Sequence, residues 1–143
     1  MYYLSVIIPC YNESKNISLI FDRLSLFDNE IEIVFVDNGS TDNTAERIGE
    51  KIAEINSNNI KCVTIKKNIG YGHGIMSGVN SASGEVLSWT HADLQTDPSD
   101  LLEAYKIYVA HPRYPYCILK GRRVGRNFFD AMFTAGMSLL STV

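Results

Sequence analysis

His91, Asp93 and Gln95 alternate along the stretch WTHADLQTDP, directly after a short apolar run. In extended backbone, alternate side chains share one side. An imidazole, a carboxylate and an amide oxygen brought together can hold a divalent cation. Oxygen ligands suit Mg2+ or Mn2+, and Mn2+ tolerates imidazole better. The plainer alternative leaves Asp93 capping a turn and His91 facing solvent.

Four other places carry similar promise. Pro9-Cys10-Tyr11-Asn12-Glu13 closes an apolar run, and Tyr11 is a flat ring that can lie against a nucleobase. Asp37-Asn38-Gly39-Ser40 follows another apolar run. A carboxylate so placed is half buried and needs a partner, either a base or ribose hydrogen or the start of the next helix. The run Gly70-Tyr71-Gly72-His73-Gly74 continues to Gly78, with Asp93 further along after the next strand. Glycines allow close backbone approach, so this is a candidate dinucleotide-binding turn, although the spacing is not G-x-G-x-x-G. Tight helix–sheet packing is the simpler reason for it. Lastly, Lys120, Arg122, Arg123 and Arg126 crowd into seven positions. Guanidinium forks suit phosphate groups, whereas a solvated basic loop would need no ligand.

The elements that must position these residues alternate in kind. Strands are expected over 3–9, 31–37, 60–65, 85–90 and 116–120. Helices are expected over 14–27, to about 55, over 70–84 and over 97–109. Asn12 or Ser14 would cap the first of these, and Asp97-Pro98 would open the last. Five strands separated by four helices imply an α/β fold, a mostly parallel sheet with helices on both faces. Such sheets bind ligands beyond the carboxyl ends of their strands, where all five stretches fall.

Composition sets the outer bounds. At 143 residues, 45% apolar and 20% charged, the chain is a single globular domain with a real core. A net charge of −3 argues against a general nucleic-acid binder. Cys10, Cys62 and Cys117 lie far apart in apolar runs, without a C-x-x-C, and read as reduced core thiols of a cytosolic protein. The amino terminus lacks the basic region of a signal peptide. After Asp130, thirteen residues carry no charge, fewer than the roughly 20 that span a bilayer. The chain therefore reads as part of a longer one. Residues 127–143 read as an apolar helical segment, either lying at a membrane surface from 128 on or forming a core helix that lacks its cover.

The segments SVIIPCYNESKNI, IVFVDNGSTDNT, KKNIGYGHGIMSGVNSASGEVLSWTHADLQTDP and KGRRVGR, in that order, resemble the family 2 glycosyltransferases of the GT-A fold. The closest flavour is that of polyprenyl-phosphate sugar synthases and cell-surface polysaccharide enzymes. The resemblance implies a nucleotide-sugar-binding core over 1–126. It implies that Pro9, Tyr11, Glu13, Asp37, Asn38 and Ser40 line the nucleoside pocket. It implies that Asp93, Gln95 and His91 hold Mg2+ or Mn2+, and that Arg122, with Arg123 and Arg126 behind it, faces phosphate on the acceptor side. The donor would be a UDP- or GDP-sugar and the acceptor a polyprenyl phosphate or glycan, at the cytoplasmic face of a membrane. Transfer would invert the anomeric centre. Two positions depart from the family pattern: Asn38 and His91 each stand where an acid is usual. They leave room for a non-catalytic relative, just as the glycine cluster leaves room for an NAD(P)-binding oxidoreductase. No acceptor-side base stands out after residue 126.

Overall fold

The computed structural model describes residues 1–121. Its elements run β1 (Leu4–Cys10), α1 (Ile17–Leu24), β2 (Ile31–Asp37), α2 (Thr44–Ile55), β3 (Ile60–Thr64), α3 (Tyr71–Ser81), β4 (Val86–Trp89) and α4 (Asp100–Val109). The four strands form one parallel sheet in the order β3-β2-β1-β4. β1 and β2 are apolar almost throughout and buried along their whole length, as strands covered on both faces must be.

Alternation along the strands divides the core in two. Val6, Ile8, Ile33 and Phe35 face one side, where Ile17, Ile20, Phe21 and Leu24 of α1, Ile48 of α2 and Leu101, Leu102 and Tyr105 of α4 cover them. Phe21 stacks on Phe35 with ring centroids 4.8 Å apart. Ile7, Val34 and Val36 face the other side and pack under α3 through Val79 and Ala82. Gly78 makes that contact possible. A Cβ there would lie 2.4 Å from Ile7 Cγ2 and 2.9 Å from Val36 Cγ2.

A polar clasp closes the sheet near its amino ends. Glu32 is buried in β2 beside Ser5 of β1 and accepts from the Ser5 hydroxyl. It also accepts from the Ser83 N–H at 2.7 Å and the Ser83 hydroxyl at 2.8 Å, and pairs with Lys61 Nζ at 2.7 Å. Lys61 in turn donates to the Ser81 carbonyl. The clasp fastens the end of α3 to three strands, and α3 stops at Ser81, short of the 84 expected.

Several boundaries differ from expectation for local reasons. α1 begins at Ile17 because the Asn16 N–H closes a turn on the Glu13 carbonyl at 2.8 Å. Asn12 and Ser14 bridge to the next loop instead of capping this helix. Asp97 does start the last helical segment, accepting from the Ser99 N–H at 2.9 Å, but 97–99 form a separate turn before α4 proper. The expected fifth strand is absent among the described residues. Residues 116–120 pair with no strand, and Tyr116 and Ile118 are about nine-tenths exposed (91% and 89%). Apolar alternation alone does not hold a strand that lacks a neighbouring ladder.

Candidate functional site at the β1–β4 switch point

The chain steps from β1 outward to β2 and β3, then returns to the other side of β1 for β4. The order thus reverses between β1 and β4, which is where open α/β sheets bind ligands. Pro9 opens the crevice. The Thr90 N–H donates to the Ile7 carbonyl at 3.0 Å. In a parallel ladder the next bond from β1 to β4 would come from the N–H of residue 9, and proline has none. Pairing between β1 and β4 therefore ends at Ile7 and Trp89. Pro9 itself is buried within β1, in register with Val36. It shapes the crevice from inside the sheet.

Hydrogen bonds tie the loops around this edge to one another. Asn12 adopts φ 57 and reaches across. Its N–H donates to Ser40 Oγ at 3.1 Å, and its Oδ1 accepts from the Thr41 N–H at 2.8 Å. The Glu13 N–H donates to Thr44 Oγ1 at 2.9 Å, and its carboxylate accepts from Asn16 Nδ2 at 2.6 Å. Asp37 is buried, with Oδ1 accepting from the Ser40 N–H at 3.1 Å. Gly39, at φ +74, lies so close under the next loop that a Cβ would meet the Asn68 backbone N at 2.5 Å. Tyr11 is left 46% exposed at this rim, a free aromatic surface beside Asp37's loop.

Asn38 is turned toward the start of the glycine-rich helix. Its side chain is buried, and Nδ2 donates to the Gly70 carbonyl at 3.2 Å. Among the described residues its Oδ1 has no partner. Gly74 makes the room, since a Cβ there would stand 3.0 Å from Asn38 Cγ and Nδ2. Gly74 and Gly78 are thus packing glycines. That removes the main support for a dinucleotide turn on this cluster.

The stretch after β4 is a turn, not the extended segment expected. Leu94 takes φ 58, and Asp93 Oδ1 accepts from the Gln95 N–H at 3.0 Å. Ala92 and Leu94 pack into the core, while His91, Asp93 and Gln95 are exposed. Thr90 and Thr96 join hydroxyls at 3.2 Å across the base of the loop, and Arg23 pairs with Asp97 at its far end. Among the described residues, Asp93 is therefore the one acid of this loop with no cationic partner. His91 is not loose: Tyr71, the first residue of α3, meets its Nδ1 with the phenol oxygen at 3.2 Å. The two rings stack 5.2 Å apart and 1° from parallel. Tyr71 escaped notice in the sequence, where its signal was an aromatic held between two glycines at a helix start.

Among the described residues no three His, Cys, Asp or Glu side chains converge as a complete metal cage. The donor set still fits a divalent ion shared with a ligand. Mg2+ and its like are commonly held by one or two carboxylates, with phosphates completing the shell. Arg122, Arg123 and Arg126 lie outside the described residues, as does the segment 128–143. Among the described residues no helix is long and apolar enough to cross a membrane.

Sheet order and switch point together are those of an α/β domain of the GT-A glycosyltransferase type. Residues 5–132 match the model of Glycosyl transferase family 2, and the chain belongs to that family. Among curated relatives, it is 33% identical over 134 residues to the undecaprenyl-phosphate 4-deoxy-4-formamido-L-arabinose transferase of Proteus mirabilis, covering 91% of this chain and 39% of that one. The protein of the same name from Yersinia enterocolitica is 35% identical over 102 residues, covering 68% and 31%. The chain thus spans well under half the length of these relatives. Among solved structures, the mannosyltransferase PcManGT from Pyrobaculum calidifontis, in complex with GDP-Man and Mn2+, superposes with a TM-score of 0.68 at 26% identity, over 77% of this chain and 33% of that one. S. aureus TarS 1-349 in complex with UDP-GlcNAc gives 0.64 at 28% identity, over 90% and 38%.

Proposed function

We propose that this chain is the donor-binding part of an inverting glycosyltransferase that takes a UDP- or GDP-sugar and a divalent metal, Mg2+ or Mn2+. The observation that carries the reading is the crevice at the β1–β4 switch point, with a buried acid at the β2 end and an exposed acid after β4. Tyr11 offers its ring to the base. Asp37 and Ser40, held by their mutual hydrogen bond, offer acceptors to base and ribose. Asp93, with Gln95 beside it, is the carboxylate that would hold the metal. A bound divalent ion there would offset the charge developing on the departing nucleoside diphosphate. The acceptor would be a polyprenyl phosphate, in keeping with the named relatives, or a glycan, met at the cytoplasmic face of a membrane. A lipid phosphate is already anionic near neutral pH and needs no strong general base. Arg122, Arg123 and Arg126 are the cations proposed to meet that phosphate.

A thermal-shift series with UDP- and GDP-sugars, with and without Mn2+, tests this. Stabilisation should require Mn2+ and vanish in Asp93→Ala. Absence of a shift with every nucleotide sugar would refute the reading.

A further inference from the structure

Leu94 holds a backbone conformation that leucine seldom adopts. Among the described residues, three that are not glycine have positive φ: Asn12, Asn56 and Leu94. Asparagine tolerates the left-handed region because its short amide can bond locally. Leucine has no such means, and crowding at its Cβ opposes the turn. Such a conformation persists only where the surroundings over-determine it. Three contacts do so here. The Leu94 side chain packs, with Ala92, into the core cluster that α1 and α4 cover. The Thr90 and Thr96 hydroxyls meet at 3.2 Å across the base of the loop. The Thr90 N–H is tied to the Ile7 carbonyl at 3.0 Å.

The reversal at Leu94 brings the Gln95 N–H back onto Asp93 Oδ1 at 3.0 Å. One oxygen of the carboxylate is thereby held, and Oδ2 is left to meet a cation. From this geometry we infer that Leu94 is the positioning residue of the metal loop. Its side chain, pinned in the core, enforces the left-handed turn that fixes the Asp93 carboxylate and presents Oδ2 as a single-oxygen ligand. This rests on the donor-binding reading above. A carboxylate already fixed by a hydrogen bond loses little freedom when it takes the ion. The exposed residues 91, 93 and 95 supply polar chemistry, and the apolar residue between the last two supplies their aim.

The test uses the whole chain with Leu94→Gly, Leu94→Ala, Leu94→Met and Leu101→Ala. Glycine accepts the left-handed turn but has no side chain to pin it. Alanine keeps the Cβ and loses the anchor. Methionine keeps an apolar side chain of similar volume. Leu101 packs on the same core from α4, so its truncation reports general loosening. Mn2+ binding, with and without UDP, is followed by the electron paramagnetic resonance of the free ion. Affinity should fall about tenfold in Leu94→Gly and Leu94→Ala. It should return to within about threefold of the parent in Leu94→Met. Leu101→Ala should melt lower yet bind Mn2+ as the parent does. In the metal-free protein the Gln95 amide hydrogen should exchange about tenfold faster in Leu94→Gly than in the parent. Undiminished Mn2+ affinity in the glycine and alanine variants would overturn the inference alone. So would unchanged Gln95 exchange, or an equal loss of affinity in Leu101→Ala. A parent chain that binds Mn2+ neither alone nor with UDP would refute the donor-binding reading, and the inference with it.

Discussion

Asn38→Asp restores the acid usual in the family, and the structure says that it should weaken this protein. The Asn38 amide donates to the Gly70 carbonyl at 3.2 Å from a buried position, and among the described residues its Oδ1 already lacks a partner. An ionised aspartate would set a second oxygen against that carbonyl. The lost hydrogen bond costs about 1 kcal/mol, and a buried carboxylate without donors costs roughly 2–3 kcal/mol more. A total of about 3–4 kcal/mol corresponds to a Tm drop of roughly 10 °C for a domain of this size. Asn38→Ala removes both the donor and the orphan oxygen, so it should be milder, about 1–2 kcal/mol. Acid should rescue the aspartate. Burial raises its folded-state pKa above the ordinary value of about 3.9. The destabilisation therefore grows as pH rises through that value and fades below it, where the protonated acid can donate to Gly70 again. Urea unfolding followed by circular dichroism at pH 4 and pH 8 measures this. An aspartate variant as stable as the parent at pH 8, or an alanine variant worse than the aspartate one, would refute the latch between Asn38 and α3.

Two further perturbations probe the frame. Burial pushes the Glu32 carboxyl up, but Lys61, the Ser5 hydroxyl and both Ser83 donors outweigh it and pull the group down to about 2 from the usual 4.5. That gap is about 3 kcal/mol of stability, present above pH 4.5 and lost as pH falls toward 2. Glu32→Gln should be less stable at pH 7 and should lose this acid dependence, as read from unfolding curves across the window. Gly78→Ala would push a Cβ to within 2.4 Å of Ile7 Cγ2 and should cost about 1–3 kcal/mol by overpacking. If Gly78 served a ligand instead, nucleotide affinity would drop with stability unchanged.

The frame of the fold was legible because its signals are local. β1 and β2 are unbroken apolar runs, and Ile17, Ile20, Phe21 and Leu24 sit at helical spacing, so tertiary packing and local pattern agree. The run 116–120 misleads for the same reason: its alternation says nothing about whether a neighbouring strand exists. At the site, residue types at strand ends could be read, but their partners could not. Tyr71 and His91 are twenty positions apart and Asn38 and Gly70 thirty-two. Contacts at such separations follow from the sheet order, in which β4 returns beside β1. The role of Pro9 was hidden likewise. The first strand is expected to end at residue 9, yet β1 runs on to Cys10 because its bonds to β2 leave from the neighbouring residues. Only its missing bond toward β4 matters.

The two departures from the family pattern therefore have a common explanation. Asn38 and His91 lie at the ends of different strands, yet both partner the start of α3, one through the Gly70 carbonyl and the other through the Tyr71 hydroxyl. A site losing its function would shed acids without gaining matched contacts. Here each neutral side chain has a specific hydrogen bond, and Gly74 has the space that Asn38 requires. Paired changes that converge on one helical turn are what a rebuilt wall requires. Such a wall fixes the glycine-rich turn against the crevice while Asp37 and Asp93 keep the remaining negative charge.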